Sequence, residues 1–449
     1  MSAELQSAHS EATSVDALDV ARCWHPFAQM QEYTSHPRVQ IASGEGCWLT
    51  DVEGKRYLDA NASIWTNVHG HQDADLNNAI IEQLGKMAHS TYLGLGHEPG
   101  ALLADKLCEL TGLDRVFYSD NGSNAVEIAL KLSFQYFQLV GQPQRKRVIG
   151  LYNAYHGDTF GTMSVGDSGI FHERFDPWKF PVERIPAPTC EEFGGEVFAS
   201  DMAESLAALD AHLANFGNEV AAVILEPWVQ GAGGMLLQPK GYLAEVQKRC
   251  RAHGVHLILD EVFVGFGRLG PMLVGESEGV TPDFYCLAKG LTAGYLPLAA
   301  TVTSEEIYEA FLGEYGEFKA FFHGHTFTGN PLGCVVALKN IEKLEAMMTS
   351  GALAETIANF EQFFRDLREA LPDTFVLRQR GLASSLDLPA GDRTLRRGMH
   401  FCIALREQGV LLRALGDSIL IVPPLVISAD ELNFLKAALL ETLQDKAYL

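Results

Sequence analysis

Cations are scarce in this chain: 34 Lys and Arg stand against 57 Asp and Glu, a formal charge of −23. That balance leaves no positive footprint for a phosphate backbone or an anionic membrane, which argues against nucleic-acid and membrane partners. No apolar run approaches the ~20 residues that cross a bilayer. The opening stretch, MSAELQSAHSEATSVDALDVARC, lacks the basic start and apolar core of a secretory signal and reads as a frayed polar tail. Eight cysteines occur, and no two form a CxxC pair. Several sit in apolar surroundings, so reduced thiols in a cytoplasmic protein are expected, not a disulfide framework. The HGH tripeptides at His69–His71 and His323–His325 have no further ligands at usable spacing, and no metal is expected. Repeats, low-complexity tracts and Pro-rich linkers are missing too.

What is present is a large core. With 449 residues, 47% of them hydrophobic, the chain is long enough for two or more domains. Residues 38–60 alternate and turn at Glu53-Gly54, which predicts a β-hairpin, and a helix follows over 74–87. Short apolar runs then alternate with helical stretches: 115–119, 147–152, 219–227, 255–261, 284–289 and 298–303. This pattern predicts an α/β fold with a mostly parallel sheet covered on both faces, with ligands at the carboxyl ends of the strands. Glu226, Asp260 and Lys289 stand at such ends. After about residue 331 the texture changes to a smaller α+β unit: helix 353–370, strands near 375 and 384, helix 394–408, strand 418–422 and helix 429–445. The expected division is 1–74 as tail and hairpin of a small domain, 75–332 as the large domain, and 333–449 as the rest of the small one.

GFGRLG, Gly265 to Gly270, satisfies the GxGxxG dinucleotide pattern. Its context is wrong: Asp260 and Glu261 precede it, and Pro271 follows where a phosphate-binding helix should begin. SDNGSNAVEIALKL, 119–132, offers better phosphate chemistry. The chain leaves a strand and enters a helix whose Gly122 and Ser123 could meet an anion at the positive end. Plain N-capping by Asn121 or Ser123 explains the same residues. Tyr155 and His156 lie in a Gly-interrupted loop after a strand, where an aromatic either stacks on a planar ligand or packs. Lys289 alone would be an ordinary loop lysine. Together with a phosphate cradle, an aromatic and a strand-end carboxylate, it describes a site for pyridoxal 5'-phosphate. That cofactor needs a lysine for its Schiff base, a carboxylate to keep the ring nitrogen protonated, and an anchor for its phosphate.

The stretches ILDEVFVGFGRLG, CLAKGLTAGYLPLAA, HGHTFTGNPLGC and YHGDTFG resemble the class III pyridoxal-phosphate aminotransferases, from about Trp24 to the C-terminus. Within that class, WHPFAQM, SIWTNVHGH and GVLLRALGDSILIVPPL are similar to the adenosylmethionine–8-amino-7-oxononanoate aminotransferases of biotin biosynthesis. The resemblance implies a fold-type-I transferase, a homodimer with a shared active site, and these roles. Lys289 forms the Schiff base and moves the proton; Asp260 holds the ring nitrogen. Gly122 and Ser123 bind the phosphate, helped by His325 and Thr326 from the neighbouring subunit. Tyr155 stacks on the ring, Asp158 supports the site from behind, and Glu226 and Val262 complete the cofactor site. Phe27, Ile64, Trp65 and Gly324 line the substrate pocket, and Arg413 takes the carboxylate of the keto acid, although a surface ion pair would suit an arginine equally.

Two departures touch the amino donor. Ile64-Trp65 stands where relatives often carry two aromatics, and Phe27 where many carry a tyrosine. Fewer aromatic faces for a sulfonium and a missing hydroxyl favour lysine or another simple amine over S-adenosylmethionine. The expected reaction converts 8-amino-7-oxononanoate to 7,8-diaminononanoate. The alternatives are another class III ω-aminotransferase acting on a diamine or ω-amino acid, an aminomutase, and a nicotinamide-dependent oxidoreductase.

Overall fold

The computed structural model describes residues 14–444. Its centre is a seven-stranded sheet in the order Arg115–Ser119, Ala299–Thr303, Phe284–Leu287, His256–Asp260, Val220–Leu225, Arg147–Leu151 and Glu183–Ile185. All neighbours pair in parallel except Ala299–Thr303, which runs antiparallel to both strands beside it. Every residue of Val220–Leu225, His256–Asp260 and Phe284–Leu287 is buried, as continuous apolar runs covered on both faces must be. Helix Gly122–Leu139 lies on one face through Ala125, Ile128, Ala129 and Leu132, which recur at helical spacing. The six strands other than Ala299–Thr303 share one direction. Their carboxyl ends, and the turns at 120, 153, 226, 261 and 289, therefore gather along one edge.

Three smaller sheets surround this core. Ile41–Glu45, Trp48–Asp51 and Arg56–Asp59 form a meander that Val410–Leu411 joins in parallel, so early and late segments of the chain share a sheet. Val376–Arg380, Ala383–Asp387, Ser418–Ile421 and Arg413–Leu415 make a second sheet. A third contains Thr189–Phe193 and Glu196–Asp201, a hairpin the sequence pattern did not suggest. Helices Pro331–Ser350 and Ala352–Ala370 join these layers; the first is capped by Asn330 with Pro331 in its first turn.

The expected polar tail is partly corrected. Residues 1–13 lie outside the described residues, but Val15–Arg22 is a helix capped by the Ser14 hydroxyl. It is held by paired contacts from Asp16 to Arg38, at 2.6 Å, and by Asp19, which accepts from Tyr33. The final helix ends at Thr442, and position 445 lies outside the described residues. All eight cysteines are unpaired thiols.

Candidate active site

Lys289 leaves the buried strand Phe284–Leu287 with a left-handed backbone, φ 45°, which turns its side chain along the sheet edge. Left-handed non-glycine backbone costs on the order of 1 kcal/mol or more and persists only where its surroundings enforce it. The Nζ atom stands 4.6 Å from the Trp65 ring centre and 5.4 Å from that of Phe263. Desolvation pulls its pKa down to about 8, against the attraction of Asp260 and Glu226. A lysine so placed has a much larger neutral fraction near neutrality than a surface lysine.

Two strands carry the facing carboxylates. Asp260 ends His256–Asp260; its Oδ2 lies 2.7 Å from His156 Nδ1, and its Oδ1 accepts the Val262 N–H at 3.1 Å. Both side chains are almost wholly removed from solvent, at 0% for His156 and 6% for Asp260. The charge-assisted bond fixes Asp260 from behind and leaves its remaining face toward the cleft. Glu226 follows Val220–Leu225 and accepts the N–H groups of Tyr155 and Gly231 at 3.1 and 3.0 Å. Burial pushes its pKa up to about 7. It shapes the loop that carries Tyr155.

At the head of Gly122–Leu139, Asn121 is the cap: its side chain accepts from the Asn124 N–H at 3.0 Å. Of the two readings of this turn, capping by Asn121 is realised, yet it satisfies one of four free N–H groups. Those of Gly122 and Ser123 have no partner among the described residues. Ser123 Oγ lies within 3.1 Å of Thr159 Oγ1 and 3.0 Å of Thr162 Oγ1, and accepts the Thr159 N–H. Gly157 makes this closeness possible. A Cβ there would stand 2.2 Å from Ser123 Oγ, and φ is +126°. Gly122 likewise admits Val262, whose Cγ1 would lie 2.5 Å from an added Cβ.

The wall of the cleft comes from the termini. Trp65 donates to Asn61 at 3.1 Å, and Ala62, Ser63 and Trp65 all have positive φ. Ile64 beside it is 41% exposed, and Phe27, φ 54°, is 55% exposed. The Arg413 guanidinium sits 5.7 Å from the Phe27 ring centre. Desolvation lowers its pKa, and it has no carboxylate partner among the described residues, so it is not the surface ion pair that was the competing expectation. Tyr155 donates its hydroxyl to Asp158 at 2.9 Å. His325 Nδ1 lies 3.2 Å from Asp120 of its own chain, next to the Gly122 turn, whereas Gly324 and Thr326 are exposed and Gly324 faces Leu93.

His156 and Phe263 carry no role in the sequence reading. His156 stands beside Tyr155 in the sequence, but its partner Asp260 is distant in the chain. Phe263 follows Asp260 by three residues, and only the fold turns it to Lys289. The GFGRLG stretch closes on itself through Phe266 N–H to Met272 O and Gly267 N–H to Pro271 O, and opens no helix. Its Arg268 is buried and donates to the carbonyls of Asn67, Leu382 and Pro423. That is a structural clamp and holds no pyrophosphate. The HGH histidines serve locally: His69 meets Asn340 at 2.9 Å, His71 meets Asp59 at 3.1 Å, and His323 meets Lys131 at 2.9 Å.

The sequence pattern of the family Aminotransferase class-III matches residues 29–443. This chain is a class III aminotransferase. Such enzymes use pyridoxal phosphate, and the site has the matching parts: free N–H groups at a helix head, a hydroxyl cluster, a buried carboxylate and a desolvated lysine. The aminotransferase is 45% identical to the adenosylmethionine-8-amino-7-oxononanoate aminotransferase of Geobacter sulfurreducens, over 93% of this chain and 94% of the relative. The crystal structure of the enzyme with that name from Methanocaldococcus jannaschii superposes with a TM-score of 0.89 at 39% identity, covering 95% of this chain and 98% of the other. An amine transaminase from an uncultivated Pseudomonas species, solved with PLP bound, gives a TM-score of 0.86 at 32% identity, covering 94% and 98%.

Proposed function

We propose that this aminotransferase transfers an amino group to the ketone of 8-amino-7-oxononanoate, giving 7,8-diaminononanoate for biotin synthesis in the cytoplasm. What supports the substrate is the name shared by relatives 40–45% identical over more than nine-tenths of the chain. We also propose a homodimer in which Gly324, His325 and Thr326 of one copy complete the site of the other.

Bound pyridoxal phosphate supplies a ring that accepts the electron pair left when a substrate C–H bond breaks. The chain supplies the rest. Lys289 Nζ takes that proton and returns it, a task suited to a pKa near neutrality. Asp260, fixed by His156, holds a positive ring nitrogen. Gly122, Ser123 and the head of their helix hold the phosphate. Tyr155 covers one ring face, with Asp158 at its hydroxyl. Trp65 and Phe263 keep water from Lys289. Arg413, with no carboxylate partner among the described residues, takes the substrate's carboxylate in a bidentate pair.

For the donor we infer lysine or another simple amine. Phe27 brings no hydroxyl and Ile64 no second aromatic face, whereas a lysine needs only an aliphatic channel and Arg413 for its carboxylate. Mixing the loaded enzyme with each donor in a single turnover, then adding the keto acid, tests both proposals. Diamine product formed from lysine is the expected outcome. Bleaching by S-adenosylmethionine with lysine inert would overturn the donor. Failure of 8-amino-7-oxononanoate as acceptor, with simple ω-amino acids or diamines turned over, would overturn the substrate and favour the ω-aminotransferase alternative.

A further inference from the structure

Segment 169–180, GIFHERFDPWKF, lies on the surface with Ile170, Phe171, Phe175 and Trp178 exposed. Its one buried residue is His172, at 4% exposure. Burying an imidazole within so exposed a stretch calls for a reason, and its contacts give one. His172 Nε2 lies 2.9 Å from Asp158 Oδ1. The other oxygen of the same carboxylate, Oδ2, accepts the Tyr155 hydroxyl at 2.9 Å. The imidazole also lies beside the Tyr155 ring, 6.0 Å between centres and 28° from parallel. Next to it, Phe171 meets Phe27 edge-on at 5.9 Å, and Phe27 carries Arg413.

We propose that His172 is a positioning residue for the amino transfer, fixing the orientation of Tyr155 through Asp158 and by ring contact. The proposal rests on the reading of Tyr155 as the aromatic that covers the cofactor ring. The physical need is specific. The Asp158 side chain is 48% exposed. A carboxylate turning freely in water would give the tyrosine hydroxyl no fixed direction, because exposed polar contacts are individually weak. A buried donor on one oxygen removes that freedom and sets where the other oxygen points. The bond from His172 is also the main reason the Asp158 carboxyl is held below its usual value, so it remains a charged acceptor. With the proton on Nε2, His172 Nδ1 is buried without a hydrogen-bond partner among the described residues, and the ring donates to Asp158. Tyr155 is thus tied at its N–H by Glu226, at its hydroxyl by Asp158, and along its ring by His172.

The test compares His172→Leu, which keeps bulk without a donor, with His172→Gln, which restores an N–H toward Asp158. Both are made in the full-length, cofactor-loaded enzyme. The readouts are visible circular dichroism of the bound cofactor, which reports the asymmetry of the groups around its ring, and the rate of the first half-reaction. His172→Leu should reduce the dichroic band at least about twofold and slow the half-reaction about tenfold, the scale expected for small misplacement of a reacting group. His172→Gln should stay within about twofold of the parent in both, since it keeps the bond that orients Asp158. A His172→Leu enzyme equal to the parent, or a His172→Gln enzyme as impaired as His172→Leu, overturns the proposal. If His172→Leu fails to fold, Asp158→Ala must reproduce the loss of dichroism, and an unchanged band there overturns it too. Tyr155→Leu separates the underlying reading: a band untouched by that change shows that Tyr155 does not face the ring, and the proposal falls with it.

Discussion

Replacing Lys289 with methionine should make the cofactor-free protein more stable. The Nζ atom lies beside the contacting rings of Trp65 and Phe263, and burial takes its pKa from 10.5 to about 8 despite Asp260 and Glu226. Between about pH 8 and 10.5 the unfolded chain therefore binds more protons at this group than the folded one, so its contribution to stability rises with pH across that window. Below pH 8 the full penalty is present. A shift of 2.5 pH units corresponds to about 3 kcal/mol. This is an upper bound, because Lys289 is only half-buried in the open cleft. Urea melts of the cofactor-free proteins at pH 7 should favour Lys289→Met by about 1–3 kcal/mol, with the gap closing toward pH 10. The same pKa sets the rate of cofactor capture. At pH 7.5 about a quarter of the amine is neutral, against roughly 0.1% for an ordinary lysine, so stopped-flow attachment of pyridoxal phosphate should level off above about pH 8. A methionine variant no more stable than the parent at pH 7, or an attachment rate still climbing at pH 10, would refute the reasoning.

Arg413→Ala should raise the Michaelis constant for the keto acid roughly 30- to 150-fold, about 2–3 kcal/mol, with cofactor affinity unchanged; an unchanged constant in a folded protein would show that the guanidinium does not meet substrate. Gly157→Ala would drive a Cβ to 2.2 Å from Ser123 Oγ. It should cost about 1–3 kcal/mol and weaken cofactor retention, measured by melting with and without pyridoxal phosphate. His156→Leu removes the 2.7 Å contact to Asp260. It should weaken cofactor binding about tenfold or more, read by equilibrium dialysis; affinity equal to the parent would show that Asp260 needs no support.

Asp260 and Lys289 were legible only in company: each stands at the end of a buried apolar run, where a lone lysine is ordinary, and the pair took its meaning from the phosphate cradle and the aromatic elsewhere in the chain. The helix head at Gly122 was legible in an Asn-Gly-Ser turn ahead of a helical period. His156 was not, because its meaning lies in a carboxylate 104 residues later in the chain. Neither His172 nor Phe263 carries a local pattern; only the fold turns them inward. The direction of Ala299–Thr303 is also silent in an apolar run, yet the link from Leu287 holds only a short 3₁₀ turn, too little for the crossover that a parallel neighbour needs. Helix Pro331–Ser350 carried its signal in Asn330-Pro331, but the run Gly333 to Ala337 obscured its period.

Arg268 has a consequence for how the chain is made. Among the described residues its guanidinium donates to the carbonyls of Asn67, Leu382 and Pro423, while the Val422 and Leu425 N–H groups bond to Ala60 and Val68. On the ribosome, Asn67 emerges about 350 residues ahead of Pro423, a wait of roughly 20–70 s at ordinary elongation rates. Once Lys289 has been made, roughly 7–27 s still pass before Pro423, and in that interval the strand-ends around Lys289 are in existence while the segment that closes over them is still unwritten. Native assembly of the cleft is therefore a late event, one that a chain stopped short of residue 423 cannot complete.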